Sequence, residues 1–387
     1  MKTTNLLLLI SFISLSTVFA QRNIENDSDI PNLTEQGEPA VTLGKISSFQ
    51  SKMLDKTVPL SIHLPANYDN SKKTYPVLYM LGSHYRARFA MLASTLDYMG
   101  ETQIPEMILI GVDLPEGNRI LLPTRENQNT KIPDGYIDFF ETELIPQINN
   151  TYRTAPFNVL FGGSNSGFFS IYTLLKKPLL FNAYFASSPS LSNMPEMMQQ
   201  KRKSGLLKTL PENRFLHIIY SDDDREATTK SIAEFSTILK KHKPESFHYK
   251  VDELVNQGHV PAVDFIQFLI SLYPDYNPYE NLNTLDKIVQ HFDKLSKRYG
   301  HEMKPTISMI LNLGVDAIRS KNLFVAEKIF QYFIKIYPDA KESYVGMGIV
   351  RREQGQFEEA KTLYKKALTI DPDYSAAKIQ LQRLENK

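Results

Sequence analysis

Two apolar runs set the tightest limit on the fold: Pro76-Val-Leu-Tyr-Met-Leu81 and Met107-Ile-Leu-Ile-Gly-Val-Asp-Leu114. Neither alternates polar with apolar residues. A strand made from either must be covered on both faces, as in a parallel sheet with helices above and below. Val58–Pro65 alternates as a strand, and Asn182–Ala186, Phe215–Tyr220 and Phe247–Leu254 are further strand candidates. Ile137–Tyr152, Glu226–Lys243 and Val263–Leu272 have helical spacing. This alternation over residues 41–275 predicts an α/β domain, a mostly parallel sheet covered by helices on both faces.

The pattern stops at Tyr273-Pro-Asp-Tyr-Asn-Pro-Tyr279, a run rich in chain breakers. Residues 276–304 read as a linker and one helix, Leu285–Tyr299. Beyond it, Gly314 and Gly348, Ala326 and Ala360, and Pro338 and Pro372 are each 34 residues apart. That period with those residue types marks the tetratricopeptide repeat, so residues 305–387 are expected to form two repeats, a small all-α region. Two repeats are marginal as a free solenoid. The Leu285–Tyr299 helix and the surface of the preceding domain are therefore expected to complete their packing. The repeats point to a protein partner or, equally, to a cap on the preceding domain.

Lys2 followed by the apolar stretch Leu6–Phe19 and by Val18-Phe19-Ala20 has the form of a signal peptide over residues 1–20. The stretch is short for a bilayer span, and no second span follows, so no stable membrane span is expected after cleavage. Residues 21–40 are polar and read as a flexible leader. A net charge of +1 with no long basic tract gives no electrostatic case for a nucleic-acid partner. The chain has no cysteine, which excludes a disulfide scaffold and a thiol nucleophile. A cysteine-free exported chain fits a bacterial periplasmic or secreted location.

The run Phe161-Gly-Gly-Ser164-Asn-Ser-Gly167 follows a short apolar run and opens an apolar helical one. A serine between near-bare residues at a strand-to-helix turn presents its hydroxyl clear of the sheet, as the nucleophile of an α/β-hydrolase does. The usual pattern is G-x-S-x-G; here Ser166 stands at the fifth position and Gly167 one later. Such a serine needs a base, a group to orient it and an oxyanion hole. His259, in the tight turn Asn256-Gln-Gly-His-Val-Pro261, is the one histidine on a loop after a strand and before a helix downstream of Ser164. His217 lies in an apolar strand and reads as a core residue. The acid is expected in Ser221-Asp222-Asp223-Asp224-Arg225-Glu226, where any of four carboxylates could serve. The oxyanion hole should combine the Asn165 N–H with one from Gly82-Ser83-His84-Tyr85-Arg86. His84 and Tyr85 could also line the pocket.

Together these segments resemble the esterase family of α/β-hydrolases, relatives of S-formylglutathione hydrolase, mycolyltransferases, and siderophore and feruloyl esterases. The resemblance covers roughly residues 40–275. It rests on Tyr75–Leu81, Asn118–Thr124, Glu143-Leu-Ile-Pro146 with Tyr152-Arg153, Gly162–Gly167, Lys177-Pro178 with Leu180-Phe181, and Ser187–Leu191. It implies Ser164 as nucleophile, His259 as base, and Glu226 as acid in preference to Asp222, Asp223 and Asp224. It further implies His84 as the second oxyanion donor, with Ser83 as fallback, and a substrate contact at Arg119 beside that of Tyr85. Gly82-Ser83 replaces the family's Asp-Gly, and Ile120 replaces its aspartate after Arg119.

The expected function is an exported serine esterase acting on a small carboxylic ester through an acyl-enzyme, with no metal or organic cofactor. The alternatives are a weakened hydrolase serving as a binding scaffold through its repeats, and an acyltransferase using the same triad.

Overall fold

The computed structural model describes residues 42–385 apart from 67, 70, 115–116, 123–130, 192–209, 212 and 278–281. The expected signal peptide and leader lie outside the described residues. The chain divides into two compact units, Leu43–Pro305 and Thr306–Lys387.

The strands of the first unit are β1 (Lys45–Ser51), β2 (Lys56–His63), β3 (Tyr75–Leu81), β4 (Ile108–Val112), β5 (Thr154–Gly163), β6 (Ala183–Ser187), β7 (Phe215–Ser221) and β8 (His248–Leu254). They form one sheet in the order β1-β2-β4-β3-β5-β6-β7-β8. β1 and β2 pair antiparallel, β2 runs antiparallel to β4, and every other pairing is parallel. All residues of β3 and β4 are buried, as the two unbroken apolar runs require.

Between the strands lie α1 (Arg86–Met99), α2 (Lys131–Phe139), α3 (Ile145–Thr151), α4 (Asn165–Lys176) and α5 (Glu226–His242), and α6 (Asp264–Leu272) follows β8. The fold is thus a mostly parallel α/β-hydrolase sheet with covering helices. Tyr79 on β3, Phe140 and Phe181 meet edge to face with centroids 5.5–5.9 Å apart in the core.

Two local departures from the expected pattern have clear causes. The helical spacing over Ile137–Tyr152 is broken by a π turn at Phe140–Leu144, where the Ile145 N–H bonds Phe140 O. Pro146 has no N–H to continue an α ladder, and the wider turn absorbs the gap. β1 is exposed over most of its length and shows no apolar alternation. It is held by β2 and by Glu143, whose carboxylate accepts from Ser51 Oγ (2.5 Å) and from the N–H groups of Lys52 (3.0 Å) and Met53 (3.1 Å).

Helix α7 (Leu285–Tyr299) belongs to the first unit. The Tyr299 hydroxyl donates to Leu272 O at 2.6 Å, and its ring meets Phe157 and Tyr273 at 5.6 and 4.9 Å. Burial of a ring of this size contributes about 2 kcal/mol. The helix expected to complete the repeats is therefore packed into the esterase-like unit.

The second unit has α8 (Ile307–Arg319), α9 (Leu323–Ile336), α10 (Lys341–Glu353), α11 (Phe357–Ile370) and α12 (Ser375–Glu385). The 34-residue spacing has a steric cause. A Cβ on Gly314 would stand 2.6 Å from the Phe330 ring, and one on Gly348 2.4 Å from the Tyr364 ring. Each repeat thus seats an aromatic ring of its second helix on a bare glycine of its first. Helix α12 closes the end, burying Ala376, Ala377 and Gln380, with Gln380 Oε1 accepting from Arg352 at 2.5 Å. Among the described residues no helix is long and apolar enough to cross a membrane.

Candidate active site

β5 ends at Gly163 and α4 begins at Asn165, so Ser164 alone makes the corner. It holds φ 56° and ψ −117°, which a residue with a side chain keeps only when its surroundings impose it. The Ser164 N–H bonds Ser187 O at 2.8 Å, and its carbonyl accepts from Phe168 at 3.0 Å and Ser190 at 3.2 Å. A Cβ on Gly162 would lie 2.1 Å from Ser166 O, so only glycine fits there. Ser166 is buried; its Oγ donates to Gly163 O at 2.8 Å and accepts from the Gly163 N–H at 3.1 Å. The departure from the usual fifth-position glycine is therefore a brace across the turn.

Ser164 Oγ lies 3.0 Å from His259 Nε2, and His259 Nδ1 lies 2.9 and 3.0 Å from the two oxygens of Asp224. The Asp224 side chain has no exposed surface. Glu226, preferred on the family resemblance, is not that partner. It is an exposed residue in the first turn of α5, where it complements the helix dipole.

The three aspartates divide the work of shaping this corner. Asp222 Oδ1 accepts from the Asn256 N–H at 2.8 Å. Asp223 Oδ1 accepts from Ser221 Oγ at 2.5 Å and from the Gly258 N–H at 2.9 Å. The Ser221 hydroxyl first, and the Gly258 N–H second, hold the Asp223 carboxyl below the usual carboxylate range. Two carboxylates thus clamp the loop that carries His259, and the third faces the imidazole.

The histidine loop is also held from the other side. Val260 has φ 58°, unusual for a β-branched residue. Its N–H bonds Ser188 Oγ at 3.0 Å, and Ser188 itself sits at φ 42°. The Val260 side chain fills the space beside Gly163, where a Cβ would come within 2.9 Å of Cγ1. The loop bearing His259 and the turn bearing Ser164 are in register because one packs on the other.

Met80 of β3 pairs with Phe161 of β5, so the loop after β3 runs alongside the Ser164 turn. The Ser83 N–H is engaged with Val112 O at 3.4 Å, whereas the N–H groups of His84 and Asn165 donate no hydrogen bond among the described residues. His84 Nδ1 lies 3.1 Å from Asp113 Oδ1. Tyr85, 61% exposed, sets its ring 4.2 Å from that of His84. Arg119 falls in the short 3₁₀ turn Asn118–Leu121, and its side chain lies outside the described part of the structure.

Sequence reasoning missed the ion pair beneath this site. Arg88, in the first turn of α1, donates to Asp264, the first residue of α6, at 2.5 Å. Asp264 is fully buried, which pushes its carboxyl above the usual range against the pull of Arg88. The pair ties the helix after the β3 loop to the helix after the histidine loop. His217 is a core residue, as expected: Nε2 lies 2.8 Å from Asp252 Oδ2, and burial lowers its pKa to about 4.

Residues 51–231 match the model of the family described as "Putative esterase", and residues 342–374 match the tetratricopeptide repeat. Ferri-bacillibactin esterase BesA of Bacillus subtilis is 23% identical over 233 residues, covering 52% of this chain and 80% of that protein. An IroE-like serine hydrolase from Shewanella oneidensis superposes with a TM-score of 0.64 at 22% identity, over 75% of this chain and 99% of that one. An uncharacterised protein from Capnocytophaga ochracea does so with a TM-score of 0.60 at 18% identity, over 89% and 100%. At these identities the solved structures speak to the fold, and the family model speaks to the class of chemistry. Over residues 51–231 the chain is thus similar to a family of esterases, which supports an ester hydrolase, and residues 342–374, in the helical region that follows, match the tetratricopeptide repeat.

Proposed function

We propose that the protein is an exported serine esterase that cleaves a carboxylic ester through an acyl-enzyme. The observation that carries this reading is the continuous chain Ser164 Oγ–His259 Nε2–His259 Nδ1–Asp224, with links of 3.0 and 2.9 Å. Ser164 Oγ attacks the ester carbonyl while His259 Nε2 takes its proton. Asp224 accepts the Nδ1–H and stabilises the imidazolium that forms. The N–H groups of Asn165 and His84 receive the charge that develops on the carbonyl oxygen, where one such donor is worth about 10²–10³ in rate. The C–O bond then breaks, the leaving alkoxide takes the proton from His259, and water, deprotonated by the same imidazole, releases the acid and frees Ser164.

The N-terminal charge and apolar pattern supports export. The repeats support a role in holding a protein partner. The name of the Bacillus relative makes a siderophore lactone one member of a substrate screen, beside sugar acetyl esters, feruloyl esters and thioesters. Ser164→Ala should abolish ester turnover and covalent labelling by a fluorophosphonate. Undiminished labelling of that variant would overturn the assignment.

A further inference from the structure

Beside the triad stands a second imidazole–carboxylate pair that the mechanism above leaves unused. His84 Nδ1 is 3.1 Å from Asp113 Oδ1, an ion-pair contact, and both atoms are shut off from solvent without a hydrogen bond to each other or to any other described residue. The His84 side chain keeps 32% of its surface exposed, against 16% for Asp113. An ionised carboxylate facing Nδ1 favours the tautomer with the proton on that nitrogen. The outward nitrogen, Nε2, then offers a lone pair, and among the described residues no protein group donates to it. In the catalytic chain a carboxylate–imidazole pair, there hydrogen-bonded, ends on a serine hydroxyl. Here the place of the hydroxyl is open.

The strand order says which part of a substrate would fill it. Asp224 follows β7 and His259 follows β8, both on one side of β5, whose end carries Ser164. His84 follows β3 and Asp113 follows β4, both on the other side. The leaving oxygen must lie toward His259, which protonates it. The loop bearing His84 therefore faces the acyl half of the ester. Resting on the serine-esterase reading, we propose that His84, oriented by Asp113, is a specificity residue that accepts a hydrogen bond from a hydroxyl or amide N–H on the acyl portion, close to the scissile carbonyl. The preferred substrates are then esters of hydroxy- or acylamino-acids over plain alkanoates, because a site built to pair a donor discriminates against analogues that lack it.

The test is a matched series of methyl esters, butanoate, 3-hydroxybutanoate, 3-methoxybutanoate and N-acetylglycinate, assayed for kcat/KM with wild type, His84→Phe and Asp113→Asn. Wild type should favour one or both donor-bearing esters over butanoate and the methoxy ester by about five- to tenfold, the scale of one neutral hydrogen bond. The hydroxy and acetamido arms tell the two donor types apart. His84→Phe should bring the ratio to about one, and Asp113→Asn should reduce it. Because the readout is a ratio within each variant, a general loss of activity cancels, and Asp113→Asn serves if His84→Phe does not fold. A wild-type ratio near one, or a ratio unchanged in both variants, would overturn the proposal while leaving the esterase reading intact. Absence of all ester turnover and of fluorophosphonate labelling in wild type would instead overturn the esterase reading.

Discussion

The Ser166 hydroxyl both donates to Gly163 O and accepts from the Gly163 N–H, at 2.8 and 3.1 Å, so one side chain spans the turn that exposes Ser164. Ser166→Ala leaves the Gly163 N–H and C=O without that partner. The expected cost is about 1–3 kcal/mol, read as a lower urea midpoint, together with a fall in kcat because the corner loosens. Unchanged stability and kcat would show that the turn holds itself.

Asp224 and Glu226 are separable by mutation. Asp224→Asn removes the charge that fixes the His259 tautomer and should lower kcat by about 10³–10⁴. Glu226→Gln, at an exposed helix start, should stay within about twofold of wild type, since an isolated surface charge contributes little. Steady-state turnover of an aryl ester checks both.

Arg88 and Asp264 should depend on each other more than the fold depends on either. Asp264→Asn strands a guanidinium that is only 19% exposed and should cost about 3–5 kcal/mol. The double change Arg88→Met with Asp264→Leu removes both charges and should recover most of that loss. Urea titrations of the single and double variants give the comparison.

His217 predicts an acid limb of stability. Its pKa falls from 6.5 to about 4 on folding because burial disfavours the imidazolium. The unfolded chain therefore binds the proton more readily. The stability contributed is full above pH 6.5 and is lost as pH falls from there toward 4, where it levels off. The total is on the order of 3 kcal/mol. His217→Gln should flatten the wild-type fall in unfolding free energy between pH 7 and pH 5.

Much of this architecture is written in residue patterns. The unbroken runs at β3 and β4 demand cover on both faces, and the glycine spacing of the repeats records ring-on-backbone contact. Ser164 and His259 are legible because each needs a particular turn, and the turn residues are in the sequence. The carboxylate partner of His259 is not legible in the same way. Four carboxylates share one loop, and which of them faces the imidazole depends on how the backbone turns after Ser221. β1 is hidden because an edge strand needs no apolar face, and its anchor, Glu143, is 92 residues away from Ser51. The Arg88–Asp264 pair, 176 residues apart, follows only from the assembled sheet.

That separation carries a consequence for the order of assembly. Ser164 follows one strand, Asp224 and His259 follow two others, and Ser164 and His259 are 95 residues apart in sequence. The local helices can form early, whereas long-range parallel pairing is slow because chain closure must precede its reward. On dilution from denaturant, helical signal should thus return before ester turnover, and the interval between them times the closing of the sheet from β5 to β8.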